Sequence, residues 1–170
     1  MIWLRWRLAL SIVLVAGSAG LAMQNAFAQG GGPGDLAIIT NPDTPVDQLS
    51  FADLRQVLKG ERQYWTKDLP VVLFVRAPTS AERTAVLGVI YQMNEAQFKQ
   101  YWIAKQFRAE TVTAPMNLKS SEATQQFVAR TRGALGFMAA RDVRAGVKVL
   151  KIDGRLPSDK GYRLHLTGGR

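Results

Sequence analysis

The side chains best suited to chemistry stand close together in the stretch PVVLFVRAPTSAE: Arg76, Thr79, Ser80 and Glu82. The five apolar residues Val71 to Val75 precede the arginine and predict a strand buried on both faces. Thr79 and Glu82 have the T-x-x-E spacing of a capping box, which predicts a helix starting near Ser80. Strand, arginine and helix N-terminus form an anion-site layout. Free backbone N–H groups and the positive end of the helix dipole point where the guanidinium points, which suits a phosphate, sulfate or carboxylate. A capped loop with a solvated arginine is the other reading of the same residues. Asn41 follows a short apolar strand, Leu36 to Ile39, and shares the ligand edge of the sheet with Arg76 if the two strands run parallel as neighbours.

Little else suggests reaction chemistry. His165 is the sole histidine and there is no cysteine, which argues against histidine-based triads, cysteine nucleophiles and the usual zinc sets. G-x-S-x-G, the phosphate-binding loop G-x-x-x-x-G-K-[ST], G-x-G-x-x-G and H-E-x-x-H are absent. The carboxylates fall at expected helix starts or in loops, where capping accounts for them. A non-enzymatic protein with no cofactor and no metal is the expectation.

The elements that position Arg76 follow from caps and periodicity. Ser50 and Asp53 open a helix with Phe51, Leu54 and Leu58 on one face, and Gly60 closes it. Val86, Leu87, Ile90 and Met93 form the stripe of the helix after Ser80. Asn94 and Gln97 open another, with Phe98, Tyr101, Trp102 and Phe107 assigned to packing rather than to a stacking platform. Glu110 to Lys119, with Pro115, reads as a connector. Ser120 or Ser121 caps a further helix with Ala123, Phe127 and Val128 inward, ended by Gly133. Ala134 to Met138 and Val147 to Ile152 are expected strands, and Gly136 suggests close approach of another backbone. Tyr162, Leu164 and Leu166 alternate with Arg163 and His165 as a half-exposed final edge strand, with His165 at the surface. Alternating strands and helices predict an α/β fold, a three-layer αβα sandwich around a largely parallel sheet.

Residues 1–28 carry an export pattern: Arg5 and Arg7, an apolar run from Leu8 to Leu21, and Ala26-Phe27-Ala28 as an A-x-A cleavage site. Cleavage after Ala28 leaves a periplasmic protein of 142 residues that does not span the membrane, with 29–34 as a flexible spacer and one domain over 35–166. The chain carries 22 Lys and Arg against 13 Asp and Glu, a net charge of +9, and the mature part retains +7. That excess favours anionic partners, but export and the scattered basic residues argue against nucleic acid.

In order along the chain, several features resemble the phosphate-binding subunits of bacterial ABC transporters, a branch of the type II periplasmic binding proteins, in a short stand-alone form. They are NPDTPVDQLSF at Asn41 to Phe51, the Leu58, Gly60 and Trp65 pattern, the strand ending in Arg76, GALGF at Gly133 to Phe137, and VLKIDG at Val149 to Gly154. The resemblance implies a single lobe of the periplasmic binding protein fold. It implies a solute-binding role toward phosphate or another small anion, with an ABC permease or envelope protein as partner. In that family an arginine and a Gly-Ser-Gly-Thr run hold the anion. The corresponding residues here are Arg76 and then Thr79, Ser80, Ala81 and Glu82, so Arg76 and Ser80 carry over while both glycines and the threonine do not. The implied ligand set is Arg76, Ser80 and Thr79, with Asn41 across the cleft. The alternative is a non-catalytic interaction module with a degenerate site, supported by Glu82 and by a length sufficient for about one lobe.

Overall fold

The computed structural model describes residues 34–110 and 113–166; the expected signal peptide and nearly all of the spacer lie outside them. In chain order the elements are β1 (Leu36–Thr40), β2 (Gln48–Leu49), α1 (Phe51–Leu58), β3 (Tyr64–Thr66), β4 (Leu69–Pro70), β5 (Val72–Arg76) and α2 (Ala81–Val86). A π-helical turn (Leu87–Tyr91) continues α2. Then come α3 (Glu95–Phe107), β6 (Met116–Leu118), α4 (Ser121–Arg130), β7 (Ala134–Ala139), a 3₁₀ turn (Ala140–Asp142), β8 (Lys148–Val149) and β9 (Lys151–Ile152).

The central sheet has the order β6-β5-β7-β1-β8. β5 runs parallel to both β6 and β7, and β1 is antiparallel to β7 and to β8. Side-chain alternation divides the core between the two faces of this sheet. Leu36, Ile38, Val75, Leu135 and Phe137 pack with α1, the π-helical turn and α3 on one side. Ala37, Ile39, Phe74, Ala134 and Met138 pack with Val128 of α4 and with Val143 on the other. The αβα layering expected from the sequence is therefore present.

The caps explain most helix starts. Ser50, Asn94 and Ser120 each accept a backbone N–H three residues on, and Asn94 with Gln97 forms a reciprocal capping box. Trp65 is buried and its indole N–H donates to Gly133 O at 2.8 Å, in keeping with an aromatic plug at the core's edge.

Several expectations are corrected. Glu110 to Lys119 is not only a connector, because Met116–Leu118 forms the edge strand β6 beside β5. Phe107 is 88% exposed rather than packed. It lies nine residues after Phe98, about half a turn round a 3.6-residue helix, so α3 buries Phe98, Trp102 and Lys105 instead. Phe127 is also largely exposed, touching Phe74 from the side of α4 at a centroid distance of 5.8 Å. Gly136 lies close to helix side chains, not to a backbone: an added Cβ would stand 3.0 Å from Val128 Cγ2. The Val147 to Ile152 strand is split into β8 and β9, and β9 leaves the main sheet to pair with β2. The closing segment keeps its alternation, with Tyr162 and Leu164 buried. It meets the N-terminal side of β1 through one Asp35–His165 bridge rather than a strand.

Candidate functional site

Arg76 is the last residue of β5 and leaves the sheet on the α4 side, the side of Phe74. Its guanidinium is buried, with 7% of the residue exposed. Nη1 reaches Leu118 O at 3.5 Å, a long contact, and Nε has no hydrogen-bond acceptor. The nearest opposite charge is Glu82, whose Oε2 stands 3.8 Å from Nε, too far for a hydrogen bond but close enough to neutralise the charge away from water. The field of Arg76 also reaches the start of α4. Glu122 is held below its ordinary carboxyl range by its own backbone N–H and the Ser120 hydroxyl, and further by the charges of Arg76 and Arg144.

The turn leading into α2 departs from the expected capping box. Ser80, not Thr79, is the N-cap: its backbone is extended and its hydroxyl accepts from Arg83 N at 3.2 Å. Ser80 N also donates to Ala77 O, so Ala77 to Ser80 is a β-turn with Pro78 in its second position. Pro78 suits that position, and the third then takes φ +79° at Thr79, a conformation that excludes Thr79 from an N-cap role. Glu82 falls one residue short of the capping position and turns to Arg76 instead. The third turn position favours glycine, so Thr79→Gly relieves left-handed strain of about 1–2 kcal/mol against an entropy cost of about 0.5–1 kcal/mol. A net gain of about 0.5–1 kcal/mol is expected, read as a raised urea midpoint.

Arg76, Thr79, Ser80 and Glu82 thus share one turn, but Asn41 does not join them. β1 is antiparallel to β7, which is parallel to β5, and Thr40 lies level with Leu135 and Leu73. Asn41 therefore sits at the amino end of β5, opposite Arg76 and two strands away. Its side chain is spent on structure: Nδ2 donates to Val128 O at 3.2 Å and Ala129 O at 2.7 Å, and Oδ1 accepts from Asp43 N. Burial and three hydrogen bonds make it a clamp on the last turn of α4.

Sequence reasoning missed Arg83, the residue that ties the turn together. Nε and Nη2 bind both carboxylate oxygens of Glu95, at 2.8 and 2.5 Å. Nη1 donates to Arg76 O at 2.9 Å and to Asn117 Oδ1 at 2.6 Å, and the guanidinium lies 4.6 Å from the Phe98 ring centroid. One signal was readable: a cation in the first turn opposes the helix dipole and calls for compensation elsewhere. Its partners Glu95 and Asn117 come from α3 and β6, which no spacing rule links to α2.

Two clefts open elsewhere. One, of about 210 Å³, is lined by Val71 to Leu73, Tyr64, Trp102 and Met116. The other, of about 540 Å³, lies beside the start of α1 and is lined by Phe51, Arg55, Lys59 and Arg163 among others. Among the described residues no group of three or more His, Asp or Glu side chains is placed to hold a metal, and no helix is long and apolar enough to cross a membrane.

Fold and turn together define an α/β lobe with a buried arginine at a strand-to-helix junction. No family model matches the chain. In fold it is similar to a phosphate ABC transporter substrate-binding protein from Clostridium perfringens, solved with phosphate bound (TM-score 0.59, 20% identity, 73% of this chain and 47% of that one). It is also similar to an ABC-type phosphate transport receptor from Vibrio cholerae (0.59, 19%, 73% and 48%) and to PstS from Borrelia burgdorferi (0.56, 17%, 73% and 49%). The chain matches about half the length of each.

Proposed function

We propose that this chain is a periplasmic, non-catalytic lobe of the solute-binding type whose anion position is held by its own Glu82 carboxylate. It acts as an interaction or accessory module of the cell envelope, beside an ABC permease or another envelope protein, rather than as a receptor for free phosphate. The observation that carries this reading is the Glu82 carboxylate 3.8 Å from the buried Arg76 guanidinium. An anion entering the turn would have to displace a covalently tethered rival of the same charge, and the displaced Glu82 would give up its attraction to Arg76. The fold shared with phosphate-binding proteins supports the solute-binding class, and the match to about half of each supports a single lobe. The export pattern of Arg5, Arg7, the apolar run and Ala26-Phe27-Ala28 supports the periplasm.

A transport receptor for a small anion, using Arg76, Ser80 and Thr79, is the competing reading, and calorimetry separates the two. Wild-type protein titrated with phosphate and sulfate at low salt is expected to give no binding heat at millimolar concentrations. Glu82→Thr leaves Arg76 buried and unpaired, so it is expected to lose stability and to recover it as phosphate is added, through ordinary binding linkage. Submillimolar phosphate binding by the wild type, lost in Arg76→Ala, would establish the receptor reading instead.

A further inference from the structure

We propose that the open cleft beside the start of α1 is a binding site for a compact organic polycarboxylate. Three cations converge on it, Arg55, Lys59 and Arg163. Only Arg163 has an acidic partner among the described residues, a loose pair with Asp153 at 3.6 Å in which its own side chain is 58% exposed. Arg55 Nε is buried and has no hydrogen-bond acceptor, and Lys59 has no ion pair among the described residues. Three cations converging on a concave surface with one loose acidic partner among them favour an anionic ligand, because a carboxylate satisfies two guanidinium N–H groups at once.

The neighbouring groups narrow the class. A phosphate at this helix start would use the backbone N–H groups of the first turn. Most are already taken: Phe51 N donates to Asp153 Oδ1 at 2.9 Å, Asp53 N to Ser50 Oγ at 3.0 Å and Leu54 N to Ser50 O at 2.9 Å, which leaves Ala52 N. One backbone N–H is too few to cradle a phosphate, so side-chain donors dominate, and a planar carboxylate meets a guanidinium fork with two oxygens on two N–H groups. Two guanidinium groups already lie against Phe51, Arg163 at 4.2 Å and Arg55 at 5.6 Å from the ring centroid, so the ring is not free to stack a base. Glu61 also lines the cleft and sets a limit on how much negative charge it accepts. The volume of about 540 Å³ falls in the range of small-molecule sites and exceeds a single inorganic anion several-fold. This cleft shares no lining residue with the Arg76 turn.

The test is calorimetric titration of the mature chain with citrate and, separately, pyrophosphate at low ionic strength. One citrate per chain is expected, weakening at least tenfold in the double variant Arg55→Gln/Lys59→Gln, whose unfolding midpoint confirms that it is folded. Absence of citrate binding, or equal binding by the double variant, overturns the site. Tighter binding of pyrophosphate than of citrate overturns the carboxylate class.

Discussion

Replacing Arg83 by alanine is expected to lower the unfolding free energy by about 3 kcal/mol and to loosen the turn that carries Arg76. Arg83 is 4% exposed, and its guanidinium joins four elements: α2, which carries it, β5 through Arg76 O, β6 through Asn117 and α3 through Glu95. Its removal leaves Arg76 O and Asn117 without their donor in a region closed to water. The Glu95 side chain is 45% exposed and rehydrates, which keeps the loss at the lower end of what a broken buried pair costs. Glu95→Gln keeps a hydrogen bond but leaves the buried Arg83 charge without an anionic partner, and is expected to cost about 1–3 kcal/mol. Arg83→Lys should not restore stability, since a lysine ammonium cannot serve Glu95 and Asn117 together. Urea unfolding followed by tryptophan fluorescence reads the effect as a midpoint lowered by about 1–3 M. An alanine variant within about 0.5 kcal/mol of the wild type would show that the four contacts are incidental.

Gly133→Ala is expected to be at least as damaging, about 4 kcal/mol, through the backbone alone. Gly133 has φ +78°, and a Cβ there would press into Pro70 O and lie 3.2 Å from Leu69 Cδ1. The neighbouring strand cannot move away cheaply, because Gly133 O accepts from both Val72 N at 3.0 Å and Trp65 Nε1 at 2.8 Å. Left-handed strain contributes about 1–2 kcal/mol and the overpacked contact about 1–3 kcal/mol. A displaced Trp65 changes its emission, so the fluorescence of the folded variant reports the shift independently of stability. If unfolding midpoint and emission both match the wild type, the β4 to β5 junction is softer than its hydrogen bonds indicate.

The turn at Arg76 illustrates how local and long-range effects divide. The strand, the arginine and a helix beginning beside Ser80 are all legible in PVVLFVRAPTSAE, because burial of a continuous apolar run and the capping chemistry of a hydroxyl act within a few residues. The choice of cap between Thr79 and Ser80 was misread because Pro78 commits the preceding turn and takes Thr79 to a positive φ. Asn41 was misplaced for a different reason. Whether β1 runs parallel or antiparallel to its neighbour is not written in its four apolar residues, since both directions bury the same faces.

By itself, then, the amino-acid sequence determined the αβα class, most helix starts and the alternation of the core strands, because propensity, caps and periodicity are local and repeat along the chain. Tertiary structure alone decided that Glu82 faces Arg76, that Arg83 gathers Glu95 and Asn117, and that Asn41 braces α4 at the far end of the sheet. Those pairings depend on strand direction and on an edge strand hidden in an irregular stretch. The physical reason is that a charged side chain selects its partner by distance in the folded state, and sequence separation carries almost no information about that distance.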